Sequence, residues 1–162
     1  MTIAIGLCGN EGLVLAADSQ ETTAYIKAEV GKSETIIYAN HNVFCFVGAG
    51  HADYIKTATQ KATVGLDKAK NPRDIRRILE DNLLDFFDKH LARWAYFPDH
   101  DRPTVELLIG YSMHAGAFGL FHYDGTAFHS VSQKAIGLGV LIADGLIGQY
   151  YTAGVTLPQS GV

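Results

Sequence analysis

Threonine follows the initiator methionine directly in this chain. Methionine before a small residue is commonly trimmed in cells. Its removal would leave Thr2 with a hydroxyl nucleophile and a free α-amine on one residue. That pair suffices for acyl transfer, because the hydroxyl attacks a carbonyl while the amine, directly or through water, moves the proton. A retained Met1 would block the amine and with it the chemistry. Position alone carries little, since a β-branched residue also opens an edge strand well. Other side chains of suitable type are the Asp18 carboxylate, the Lys32 ammonium with Lys27 as a substitute, and the small-residue segment Phe46-Val47-Gly48-Ala49-Gly50-His51-Ala52-Asp53. Taken singly these have plainer readings: Asp18 as a strand-end turn residue, Lys32 as a solvated loop charge, the glycines as a tight strand-to-helix turn.

The elements that must position these residues can be read from periodicity. Thr2 to Cys8, the turn Gly9-Asn10-Glu11-Gly12 and Leu13 to Ala17 predict a hairpin. Thr35 to Tyr38 and Val43 to Val47, joined by Ala39-Asn40-His41-Asn42, predict a second. After Gly50 the period changes to about 3.6, and a helix is expected from near His51. Asn71-Pro72 supplies an N-cap and a first-turn proline for another helix, whose apolar face runs from Ile75 to Trp94. The loop from Pro98 to Pro103 ends it. Strands are then expected at Val105 to Tyr111, Ala117 to Tyr123 and Phe128 to Ser132, followed by a glycine-weakened helix from Leu138 to Tyr151. Two hairpins, two helices, three or four strands and a last helix suit one layered domain spanning residues 1–162.

Composition excludes several classes. At 162 residues, 48% hydrophobic and 19% charged, the chain can bury a core. A net charge of -4 with scattered basic residues disfavours nucleic acid as a partner. No apolar run reaches the roughly 20 residues of a bilayer span, and no secretory start is present. Cys8 and Cys45 lie inside apolar runs, as small buried hydrophobes do, which fits a reducing, cytoplasmic setting. Seven histidines show no zinc-like spacing, Asp99-His100-Asp101 reads as a solvated connection, and Gly137-Leu138-Gly139 lacks the remainder of a phosphate loop. Neither a metal nor a cofactor is expected.

The stretch Gly12-Leu13-Val14-Leu15-Ala16-Ala17-Asp18-Ser19-Gln20 resembles the opening hairpin of proteasome core β subunits and of the related peptidase subunit of bacterial ATP-dependent two-component proteases, both N-terminal-nucleophile hydrolases. The spacing from Thr2 to Asp18 matches without a gap. The resemblance implies a four-layer αββα sandwich, an α/β (α+β) fold of two antiparallel sheets flanked by helices. It implies Thr2 as nucleophile and base, Asp18 orienting Lys32 beside the hydroxyl, and the Ala49 N–H as oxyanion donor, with Gly48 and Gly50 letting substrate approach. Tyr25 to Val30 would be the edge strand that pairs with an extended peptide, over pockets beneath Gln20 and Thr22. Implied partners are a peptide or unfolded-protein substrate, further copies of the chain in a ring, and an ATPase.

Two departures stand out. The family has a serine between two glycines near the amine, where this chain reads Gly137-Leu138-Gly139, and leucine cannot relay a proton. Ser132 is the nearest hydroxyl in sequence. The family's final helix and strands also have no counterpart before Val162. The expected activity is threonine-type peptide hydrolysis through an acyl-enzyme. The alternatives are a ring or scaffold subunit without chemistry, and an amidohydrolase acting on small amides.

Overall fold

The computed structural model describes residues 3–18, 20–22, 27–29 and 33–150. The first hairpin is β1 (Ala4–Cys8) and β2 (Leu13–Ala17), closed where the Gly9 N–H donates to Gly12 O at 2.8 Å. A short ribbon follows, β3 (Gln20–Thr22) against β4 (Lys27–Glu29). The second hairpin is β5 (Ser33–Ile37) and β6 (Val43–Gly50). Next come α1 (Ala52–Ala62) and α2 (Pro72–Phe86), then β7 (Val105–Ser112), β8 (Phe118–Tyr123), β9 (Phe128–Val131), β10 (Gln133–Ile136) and α3 (Val140–Tyr150).

These elements form a layered αββα sandwich. One antiparallel sheet has the order β5-β6-β7-β8-β9, the other β10-β1-β2. Strand alternation explains the layering, because successive side chains point to opposite faces. On β6 and β7, Phe44, Phe46, Leu107 and Ile109 pack with Ala58, Leu79, Leu83 and Phe86 of α1 and α2. The intervening Val47, Ala49 and Leu108 face Ala4, Leu15 and Ile136 of the second sheet. The reverse face of that sheet, Ile3, Ile5, Leu7 and Ala135, meets Ala143 and Ile147 of α3.

The two expected hairpins and the first helix are present. Gly48, Ala49 and Gly50, read from sequence as a turn, are instead the last three residues of β6, held in the ladder by Leu107, Glu106 and Val105. The second helix starts as expected, with Asn71 Oδ1 accepting the Asp74 N–H at 3.0 Å ahead of Pro72. It does not run unbroken to Trp94. Its turns widen over Phe87–Leu91 and then tighten over Ala92–Tyr96. The Arg102 guanidinium takes the carbonyls of Ala95 and Phe97 at 2.9 and 2.8 Å, and Trp94 Nε1 donates to the Tyr54 hydroxyl at 3.2 Å. Tertiary partners thus replace the helical ones. β10 is not distinct in the sequence: its four residues gain their place by pairing with β1, from Ala4↔Ile136 to Leu7↔Gln133. Of the expected edge strand at Tyr25 to Val30, Lys27–Glu29 is seen as a strand, and the other residues lie outside those described. No helix among the described residues is long and apolar enough to cross a membrane.

The helix-facing core sets the stability. Leu79 is fully buried, whereas Leu84, on the outer side of the same helix, is 60% exposed. Leu79→Ala should lower the unfolding free energy by about 2–5 kcal/mol. Leu84→Ala should stay within about 0.5 kcal/mol of the parent, both read from urea denaturation.

Candidate functional site

Ile3 enters β1 through two hydrogen bonds to Asp18. The Ile3 N–H donates to Asp18 Oδ1 at 3.1 Å, and the Asp18 N–H donates to Ile3 O at 3.0 Å. The carboxylate therefore holds the Ile3 N–H at the entry to β1. Thr2 itself lies outside the described residues, as does Lys32.

Three segments converge on this clamp. Ala4, fully buried, belongs to the same inter-sheet cluster as Val47 and Ala49. Gly139 abuts Ile3 so closely that a Cβ there would sit 2.1 Å from Ile3 Cγ1. The third is the end of β6. Its described pairing with β5 stops at Val47↔Ser33, while its pairing with β7 continues to Gly50↔Val105. On the β5 side, the residues that would continue the register opposite Gly48-Ala49-Gly50 lie outside those described.

The glycines have separate physical reasons. A Cβ on Gly48 would lie 2.2 Å from Ile55 Cγ2, so glycine lets α1 press on the sheet. Gly50 has a φ of +121°, and a Cβ there would lie 2.0 Å from Thr104 O. Beyond it, the His51 N–H donates to Thr104 O at 2.9 Å, and the Thr104 N–H donates back to His51 Nδ1 at 3.1 Å. Nδ1 is thereby the acceptor, which leaves the proton of neutral His51 on Nε2.

Of the expected site residues, the structure brings Asp18 and Ala49 to one end of the inter-sheet layer. Gln20 and Thr22 lie on β3, opposite Glu29 and Lys27 of β4. Leu138 falls between β10 and α3 beside the Ile3 clamp, and it is 83% exposed. Ser132 is no substitute for the missing serine: its carbonyl accepts the Cys8 N–H at 2.8 Å, at the opposite end of β1.

Two residues were not singled out from the sequence. Glu106 is the register partner of Ala49 and alternates onto the Leu108 face. The alternation from Val105 to Tyr111 was legible; the partnership was not. His122, 8% exposed, has an Nε2 without a hydrogen-bond partner. Burial, reinforced by the Lys134 charge and by His129, holds its imidazole below the ordinary value, against a smaller opposing pull from Asp124. The Asp124 carboxyl is itself lowered. Its burial works the other way but is outweighed by the Ala127 and Thr126 N–H groups and the Thr126 hydroxyl, which donate to it at 2.7, 2.9 and 2.8 Å.

The αββα sandwich is a fold shared with solved structures of Anbu (ancestral beta-subunit) proteins. No family model matches the sequence, and no curated protein is similar to it. Solved structures are similar in fold. Anbu (ancestral beta-subunit) from Yersinia bercovieri superposes with a TM-score of 0.78 at 13% identity, covering 98% of this chain and 70% of that one. A Gly-1 mutant of Anbu from Hyphomicrobium sp. strain MC1 gives 0.78 at 16%, covering 99% and 71%. The Anbu complex from Pseudomonas aeruginosa, solved as a helical assembly, gives 0.73 at 16%, covering 98% and 69%.

Because His122 is held neutral in the fold while the unfolded chain takes up a proton near pH 6.5, its contribution to stability is present above that pH. That contribution is lost as the pH falls below it. The loss should be at most about 1.4 kcal/mol per pH unit. Urea denaturation at roughly pH 5 and pH 7.5 should show a shallower fall for His122→Phe than for the parent chain.

Proposed function

We propose that the chain is a proteasome-like hydrolase subunit, with Thr2 as nucleophile once Met1 is removed. The observation that carries this reading is the Ile3–Asp18 clamp, set at the same end of the inter-sheet layer as Ala49 and closed in by Gly139. In the proposed reaction the Thr2 hydroxyl oxygen attacks a peptide carbonyl and its proton passes to the Thr2 amine. The carbonyl oxygen becomes an oxyanion that accepts the Ala49 N–H. The amine then gives the proton to the leaving amine as the C–N bond breaks, and water hydrolyses the ester on Thr2. Lys32 would stabilise the forming alkoxide, oriented by the Asp18 carboxylate. A substrate strand would lie along β3 and the end of β6, with Gln20 and Thr22 beneath it and Gly48 and Gly50 admitting its backbone.

One observation favours a second reading. Leu138, in place of the serine implied near the amine, leaves that position without a proton-relaying group, and its 83% exposure shows no compensating contact. A ring or scaffold subunit without chemistry would tolerate this. Either reading includes self-association. The Pseudomonas Anbu complex forms a helical assembly, and α3 together with its entry exposes Leu138, Leu141, Ile142 and Leu146 here. A cytoplasmic location and an ATPase partner belong to the same proposal.

Intact mass of the natively expressed protein should show loss of Met1, and the protein should turn over fluorogenic peptides. Thr2→Ala should reduce turnover to background, and Leu138→Ser should raise it. Retained Met1, with equal turnover by parent and Thr2→Ala, would sink the peptidase reading. Hydrolysis of a small amide without peptide cleavage would move the assignment to amidohydrolase chemistry. Light scattering should show assemblies larger than one chain that shrink on Leu141→Ser.

A further inference from the structure

We infer that His41 and His114 together bind a divalent transition-metal ion such as Zn²⁺, Ni²⁺ or Cu²⁺. The two residues are far apart in sequence and meet only in the fold. His41 lies in the turn between β5 and β6, and His114 in the turn between β7 and β8. Because β6 pairs with β7 from Val43↔Ser112 onward, both turns emerge at one end of the five-stranded sheet. There both residues are exposed, with imidazole centroids 5.4 Å apart and ring planes inclined at 43°.

That separation is what a shared ion requires. A metal–nitrogen bond of about 2.0–2.1 Å places the centroids of two imidazoles on one tetrahedral ion roughly 5 Å apart. Both turns are held by Asn42, which is 4% exposed. Its Oδ1 accepts the His114 N–H at 3.1 Å, its carbonyl accepts the Tyr38 N–H at 3.0 Å, and its Nδ2 donates to Ala69 O at 3.4 Å. The His41 N–H donates to Tyr38 O at 2.9 Å. The backbones that carry the pair are thus fixed before any ion arrives, so little ordering entropy is lost on binding. His41 has a φ of +62°, a left-handed conformation that glycine or asparagine takes more readily. A histidine kept in that strained position points to a use for its side chain.

The other histidines are engaged elsewhere. His51 Nδ1 accepts the Thr104 N–H, His100 and His129 lie beside Asp101 and Asp124, His90 stacks on Phe86, and His122 is buried. The His41 and His114 side chains have no hydrogen bond or ion pair to any described residue, which leaves their ring nitrogens available as ligands. Imidazole nitrogen suits zinc, nickel or copper, whereas magnesium and calcium demand oxygen. No group of three or more His, Cys, Asp or Glu that could hold a metal ion occurs among the described residues. Water would therefore complete the coordination shell, and the ion would tie the two turns together.

Calorimetric titration of the full chain with Zn²⁺ should show one dominant site per chain, and Mg²⁺ should give no response. Zn²⁺ should also raise the urea midpoint of unfolding, because only the folded state brings the two histidines together. His41→Gly and His114→Ala should each weaken Zn²⁺ binding by about tenfold or more, while His100→Ala, at another exposed histidine, should bind as the parent does. The double variant should be little weaker than either single one, since losing one ligand already removes the chelate. Glycine suits the left-handed backbone at position 41, so metal-free His41→Gly should be at least as stable as the parent. No saturable Zn²⁺ binding, unchanged affinity in either single variant, an equal loss in His100→Ala, or losses that simply add in the double variant would each overturn the inference. None of these readouts depends on peptide turnover, so the site stands or falls apart from the proposed peptidase chemistry.

Discussion

The structure depends on how closely its two sheets approach. A Cβ on Gly6 would lie 2.8 Å from Leu120 Cδ2, and one on Gly110 would lie 2.4 Å from Leu15 Cδ1. Each glycine gives room to a leucine from the facing sheet, and the contacts are reciprocal, one glycine from β1 and one from β7. Larger residues there would force the sheets apart and loosen a layer that contains Ala4, Val47, Ala49, Leu108 and Ile136. The helices on either side pack against sheets whose spacing is already set.

That spacing also sets the character of the candidate site. Toward Cys8 and Gly110 the inter-sheet layer is filled by leucines. Toward Ala4 it narrows to alanines at the end of β6. Small residues on both sheets leave backbone, rather than side chains, lining this end of the layer: the end of β6 and the chain entering β1. The Asp18 clamp holds that entry with charge-assisted and backbone bonds, which are directional where apolar packing is not. Of the polar residues on β7 and β8, Glu106 comes near a strand end, whereas His122 is buried.

Much of the fold was legible because it rests on local pattern. The alternation in β6 and β7, the turn residues of both hairpins and the Asn71-Pro72 start of α2 each reflect steric rules that act over a few residues. The weak helix expected from Leu138 to Tyr151 is present as α3 despite Gly145 and Gly148, since Ala143 and Ile147 bury against the β10-β1-β2 sheet. Reading failed where distant partners decide. β10 is held by β1, the end of α2 by Tyr54 and Arg102, and the extension of β6 through Gly50 by β7. Apart from Arg102, which lies a few residues beyond the carbonyls it holds, these partners are far away in sequence.

The sequence alone determined the layered order of hairpins, helices and strands, and it put Asp18 just past the end of the first hairpin, whose register brings it to Ile3. Tertiary structure decided that Gly139 would close against Ile3, that Leu138 would face solvent, and that Glu106 would pair with Ala49. The physical reason is range. Turn geometry and side-chain alternation act between neighbours, whereas close packing and electrostatic company are set by whichever surfaces the fold brings into contact.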